Sequence, residues 1–150
     1  MNPVCRIILF FSLPLLPVPA IAATVAVGTV AGDGTGISLQ YQKQPGGAIH
    51  ITGHFFQQDR AALETVYQHF IRPDWLPAGS RFYSGFGLRG HAARSTTGVR
   101  EYYQMALPLG LQYAPPGWPV QAFFDQSVLI GDLPLTGFST RFQGGFRTSF

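Results

Sequence analysis

Charged side chains are scarce: Asp, Glu, Lys and Arg make up 11% of the 150 residues, against roughly 25% in soluble domains. That supply does not cover an ordinary cytosolic surface. The net charge is only +3 and no Lys/Arg run concentrates it, so nucleic acid, which is gripped by clustered cations, is set aside as a partner. Cysteine occurs once, at Cys5, which excludes an intrachain disulfide and a cysteine-based metal site. Beyond residue 22 nothing approaches 18 consecutive apolar residues, so no spanning helix is expected there. If this chain enters a membrane, it does so with strands.

Residues 1–22 read as a secretory signal peptide. Arg6 precedes an apolar run over residues 7–16, and Ala20 and Ala22 have the A-x-A spacing of a cleavage site. Pro14, Pro17 and Pro19 break the run, which argues against an uncleaved anchor helix. Cleavage after Ala22 would remove Cys5, which precedes the apolar run and is misplaced for a lipoprotein attachment. The expected domain is residues 23–150.

What the chain does have is glycine, 18 in all, and strict alternation. The clearest case is the last stretch. With a period of two, Phe138, Thr140, Phe142, Gly144, Phe146, Thr148 and Phe150 share one face, and Ser139, Arg141, Gln143, Gly145, Arg147 and Ser149 the other. A strand that ends on Phe is unusual, because chain ends tend to be polar and frayed. A membrane-spanning strand accounts for it, with its greasy face on lipid and its polar face toward a barrel interior.

The same alternation recurs upstream, punctuated by Gly, Pro and Asp. Residues 25–31 form a β-branched run of ambiguous facing, closed by Gly32-Asp33-Gly34-Thr35-Gly36, which is hairpin chemistry. Ile37, Leu39 and Tyr41 then oppose Ser38, Gln40 and Gln42, and after a turn over residues 44–47 Ile49, Ile51 and Phe55 oppose His50, Thr52 and His54. Residues 61–72 are ambiguous: Leu63, Thr65, Tyr67 and Ile71 suit one strand face, but Asp59 followed by Ala61-Ala62-Leu63-Glu64 also resembles a capped helix start. The period of every neighbour favours a strand. Phe82, Ser84, Phe86 and Leu88 face out against Arg81, Tyr83, Gly85, Gly87 and Arg89, with a loop expected over residues 91–98. The longest alternation covers residues 99–113. Its apolar part from Tyr103 to Tyr113 matches the roughly 9–11 residues a tilted strand needs to cross a bilayer. Pro108 within it implies a bulge or an unpaired position. Val120, Ala122, Phe124 and Val128 oppose Gln121, Phe123, Asp125 and Ser127 before the final strand.

That makes eight strands with connections too short for crossover helices, so the topology is an antiparallel meander that can close. The fold class expected is all-β: an eight-stranded antiparallel up-and-down transmembrane β-barrel. If both chain ends lie at one end, the turns there carry Tyr41, Trp75, Tyr113 and Trp118, an aromatic rim of the kind a membrane interface collects. The opposite loops, around Asp33, Asp59, Arg94 and Asp132, are polar and hold neither Trp nor Tyr.

Several motifs resemble a group of small Gram-negative outer-membrane β-barrel proteins, the eight-stranded OmpX and OmpA-barrel type. They are Ala106-Leu-Pro-Leu-Gly-Leu-Gln-Tyr113, Pro119-Val-Gln-Ala-Phe-Phe-Asp-Gln126, Gly144-Gly-Phe-Arg147 with the terminal Phe150, and Gly32-Asp-Gly-Thr-Gly-Ile-Ser38. The likeness covers nearly all of residues 23–150 and is best in the last third. It implies outer-membrane location and barrel architecture. It also implies that Phe146 and Phe150 form the signal read by the outer-membrane barrel assembly machinery, although Thr148 stands where the pattern has an aromatic or aliphatic residue and Ala106 where it often has Arg. The partners expected are outer-membrane lipid and that machinery, the barrel is expected to be a monomer, and no cofactor is expected.

The candidate site is the inward polar set Arg81, Arg89, Arg100, Asp125, Arg141 and Arg147, accompanied by Glu64, while Glu101 alternates outward near a loop end. Charges in a narrow barrel must pair, and the pair expected is Arg141 or Arg147 with Asp125 on the neighbouring strand. Such a cluster plugs the lumen, so a pore is the lesser reading. His50 and His54 face in and His69 faces out, so at most two converge and no metal site is expected. No catalytic residue is assigned. The enzymatic alternative, a lipid A-modifying barrel, would need His69 and Ser84 joined by an acid on the lipid face, and none stands nearby. A third reading is a soluble periplasmic barrel that turns its aromatic face inward onto an apolar ligand.

Overall fold

The structure, a computed structural model, describes residues 23–44, 46–56, 60–131 and 137–150. The expected signal peptide therefore lies outside the described residues, as do Asp59 and Asp132. Every regular element described is a strand: β1 (Thr24–Gly32), β2 (Thr35–Gln44), β3 (Gly47–Phe56), β4 (Arg60–Ile71), β5 (Ser80–Ser95), β6 (Gly98–Tyr113), β7 (Val120–Ile130) and β8 (Phe138–Ser149). Consecutive strands pair antiparallel, and β1 closes the ring on β8 from Ala26 opposite Ser149 to Gly32 opposite Gln143. Closure leaves no sheet edge to be masked.

The ambiguous residues 61–72 lie, up to Ile71, in β4, which pairs with β3 from Arg60 to His69 and with β5 from Arg60 to Ile71. Ala62, Glu64, Val66, Gln68 and Phe70 are its buried face. A helix at this place would leave β3 and β5 with open edges, so tertiary closure overrides the local helix-start signal.

The loop expected over residues 91–98 is instead strand. β5 and β6 each run 16 residues and stay paired to Ser95 opposite Gly98, around a turn at Thr96 and Thr97. Gly98 there adopts φ 139°, a conformation that costs a side chain dearly. The overhanging hairpin has no core to face, so its hydrophobic alternation fades while its ladder continues. Pro108 leaves the other expected mark. The β5–β6 pairs pass from Ser84–Leu109 to Gly87–Ala106, skip the positions opposite Leu107 and Pro108, and resume in the same register. The missing amide of Pro108 is absorbed as an unpaired step rather than a bulge.

The barrel is polar inside and apolar outside. Phe142 is 51% exposed, Phe146 64% and Leu109 65%, while Arg141, Gln143 and Arg147 between them are buried. The largest fully buried side chains include Arg89, Arg141, Arg147, Tyr83 and His50, so the lumen is filled by side chains, as an eight-stranded ring requires. On β6 the outward apolar residues alternate without interruption from Tyr103 to Tyr113, with Val99 apart on the overhanging hairpin, a band roughly 25 Å tall for a tilted strand.

Candidate functional site

The lumen holds three hydrogen-bonded levels, set by strand register. Nearest the chain ends is an amide cluster. Gln40 Nε2 donates to Gln68 Oε1 at 2.9 Å and to Gln112 Oε1 at 3.4 Å, Gln112 bonds Gln121, and Gln121 Nε2 donates to Ser149 Oγ at 3.2 Å. Amides suit such a layer because each both donates and accepts.

The middle level rests on one row of the barrel. Tyr83, Gly110, Asp125 and Gln143 stand opposite one another on β5, β6, β7 and β8. A Cβ on Gly110 would lie 2.4 Å from the Tyr83 ring, so only glycine lets the ring lie across β6. The Tyr83 hydroxyl thereby donates to Asp125 Oδ2 at 2.7 Å, and Gln143 Nε2 donates to the same oxygen at 3.0 Å. Ser127 Oγ donates to Oδ1 at 3.3 Å. Also from β8, Arg147 donates from Nε to Ser38 Oγ on β2 at 2.7 Å and from Nη2 to His50 Nε2 on β3 at 2.9 Å, and its guanidinium lies 3.7 Å over the Phe123 ring.

The third level is ionic. Arg141 Nη2 donates to Glu64 Oε1 at 2.7 Å and to Ser127 Oγ at 3.2 Å, and Arg89 Nη1 stands 3.7 Å from Glu64 Oε2. All three charged groups are about 1% exposed. Burial at that depth raises the strength of the pair and the cost of breaking it.

Four of the six inward candidates, Arg89, Asp125, Arg141 and Arg147, are therefore buried. Arg81 is half-buried near the chain ends, donating to Gln42 Oε1 at 2.9 Å and lying 3.7 Å over Phe70. Arg100 is not in the interior. It pairs with Ala93 on the overhanging hairpin and is exposed, because β6 has already passed the rim there. The expected Asp125 ion pair is also replaced. Asp125 faces Gln143 across the β7–β8 ladder, while the long Arg141 side chain reaches past its neighbours to Glu64. Tyr83, Gln143 and Ser38 were not in the sequence-derived set. The only signal for the first was a glycine on the inward face of the next strand, legible once the register is known.

His50 and His54 are buried within reach of guanidinium groups, with Arg141 Nη1 3.4 Å from His54 Nε2, and His69 is exposed on the outer face. Adjacent guanidinium cations oppose a metal cation there. His69 and Ser84 are opposed on β4 and β5, and the same row continues outward to Gly47 and Leu109. The diagonal outward neighbours are Tyr67, Ile71, Phe82 and Phe86, none of them an acid. Trp75 and Trp118 occupy exposed turns at the end that holds Phe150, with Tyr113 also exposed and Tyr41 half-buried. Phe150 itself is 80% exposed, and its amide donates to the Val25 carbonyl at 2.8 Å.

The backbone path matches a known one. The N-terminal β-barrel domain of Pseudomonas aeruginosa OprF superposes with a TM-score of 0.65 at 13% identity, covering 85% of this chain and 96% of that one. The chain has the fold of that barrel. At 13% identity the likeness is one of fold alone. No family model matches the chain, and no curated protein matches it.

Proposed function

We propose that this chain is an integral outer-membrane β-barrel protein with a structural or surface-interaction role and no catalysis. The observation that carries the reading is the inversion of burial, with Phe142, Phe146 and Leu109 outside and Arg141, Arg147 and Glu64 inside. In water such a belt would be a large exposed apolar patch, whereas in lipid it is solvated. The soluble periplasmic reading requires the aromatic face inside, and that face points out. Export through residues 1–22, an interfacial rim of Tyr41, Trp75, Tyr113 and Trp118, and capture of Phe146 and Phe150 by the assembly machinery belong to the same proposal. The absence of catalysis is supported by the apolar surroundings of His69 and Ser84, which supply no acid to orient the imidazole. The packed ionic level supports a sealed lumen rather than a pore.

The test is a heat-modifiability gel on protein refolded in detergent, with a far-ultraviolet circular dichroism spectrum. A band that migrates faster unheated than boiled, with a strand spectrum, is expected. A soluble fold obtained without detergent and an unshifted band would overturn the proposal.

A further inference from the structure

Beyond the Glu64 level, at the end of the lumen away from the chain termini, lies a cavity of about 220 Å³. Its lining is chemically divided. One wall is a stack of near-parallel rings, with Phe56 6.4 Å from His91 at 24° and His91 4.3 Å from Tyr102 at 10°. Arg60 and Arg89 supply cations, and Asp33 is the one acid among the described lining residues.

Arg89 is the informative member. It is 1% exposed, and Glu64, the carboxylate paired with it at 3.7 Å, already accepts from Arg141 at 2.7 Å. Nε and Nη1 of Arg89 have no hydrogen-bond partner among the described residues. Two buried guanidinium groups thus share one carboxylate, which leaves a net positive charge at the cavity floor that burial makes costly.

We propose that this vestibule binds a small aromatic carboxylate. The carboxylate meets the Arg89 guanidinium, whose planar fork matches it, with Arg60 adding charge at the mouth. The ring lies against the Phe56, His91 and Tyr102 stack, where offset aromatic packing adds to area burial. Neither half of the site suffices alone: an inorganic anion leaves the ring wall unused, and a neutral ring leaves the guanidinium uncompensated. This site depends on the lumen and not on where the barrel resides.

The test is isothermal titration of the folded protein with benzoate, acetate, inorganic phosphate and benzyl alcohol, in detergent or, if the protein folds without it, in buffer. A shift in electrophoretic migration on heating reports the membrane barrel separately. Saturable binding of one benzoate is expected, about tenfold tighter than acetate, phosphate or benzyl alcohol. Backbone amide shifts should centre on His91 and Tyr102 and spare Trp118 at the far rim. Tyr102→Leu should bring benzoate down to the acetate level, and Arg60→Gln should weaken it about threefold. Arg89→Gln should abolish it, but because Arg89 is part of the ionic level, the Tyr102 and Arg60 variants carry the result if that barrel does not fold. The proposal is overturned if the folded protein binds no benzoate saturably, binds acetate or phosphate as tightly, or shows its shifts at the Trp118 rim.

Discussion

Arg141 on β8 donates to Glu64 on β4 at 2.7 Å across the full width of the barrel, since β4 and β8 stand four strands apart around the ring in either direction. One ion pair therefore ties opposite walls, and Arg89 joins it from β5 at 3.7 Å. The lumen is closed by this strut as much as by close packing.

Glu64→Gln removes the carboxylate shared by the buried guanidinium groups of Arg89 and Arg141. The cost expected is about 3–5 kcal/mol, the range for breaking one side of a buried pair. Urea unfolding in lipid vesicles measures it. Adding Arg141→Gln should recover part of the loss, because one orphaned cation is removed with it; a single-variant effect below about 1 kcal/mol would contradict the strut.

Gly110→Ala places a methyl where the Tyr83 ring lies. The ring must leave, and with it the hydroxyl bond to Asp125. A loss of about 2–3 kcal/mol is expected, larger than the roughly 1–2 kcal/mol for Tyr83→Phe, which removes the bond but keeps the ring. Equal losses for the two variants would show that Gly110 is not the space the ring depends on.

Phe142→Arg and Leu109→Arg put a cation on the outward belt. Each should destabilise the barrel by roughly 2–4 kcal/mol in a bilayer if placed near its midplane. Neutral results at both positions would remove the lipid-facing register.

Deletion of Phe150 leaves every strand intact, since the residue is 80% exposed and contributes one backbone bond to Val25. Refolding in detergent should be unchanged while the amount assembled in the outer membrane of cells falls. Loss of refolding in detergent would instead make Phe150 a structural closure residue.

Much of this architecture was legible from period two alone. The faces of the last strand, the outward His69 and the inward His50 and His54 all follow from alternation. The strand at residues 61–72 needed a closed ring to decide between it and a helix. The overhang of β5 and β6 was hidden because Arg94 and residues 96–101 are exposed, so alternation there does not separate an inner from an outer face, and it carried Arg100 out of the interior. The Glu64–Arg141 pair was hidden for another reason. Neighbour-strand reasoning offers Asp125 to an arginine on β8, but in a lumen this narrow a long side chain reaches every wall, and register does not rank those reaches.

The central claim is that the apolar belt is solvated by lipid. Cys5 is the chain's one cysteine and precedes the barrel, so a cysteine-free barrel accepts single labels. Phe142→Cys, Leu109→Cys and, on the overhanging hairpin, Arg94→Cys would each carry a fluorophore in vesicles containing lipids spin-labelled in mid-chain. Strong quenching at positions 142 and 109 with little at 94 is the result this account predicts. Equal, weak quenching at all three positions of the folded protein would contradict it.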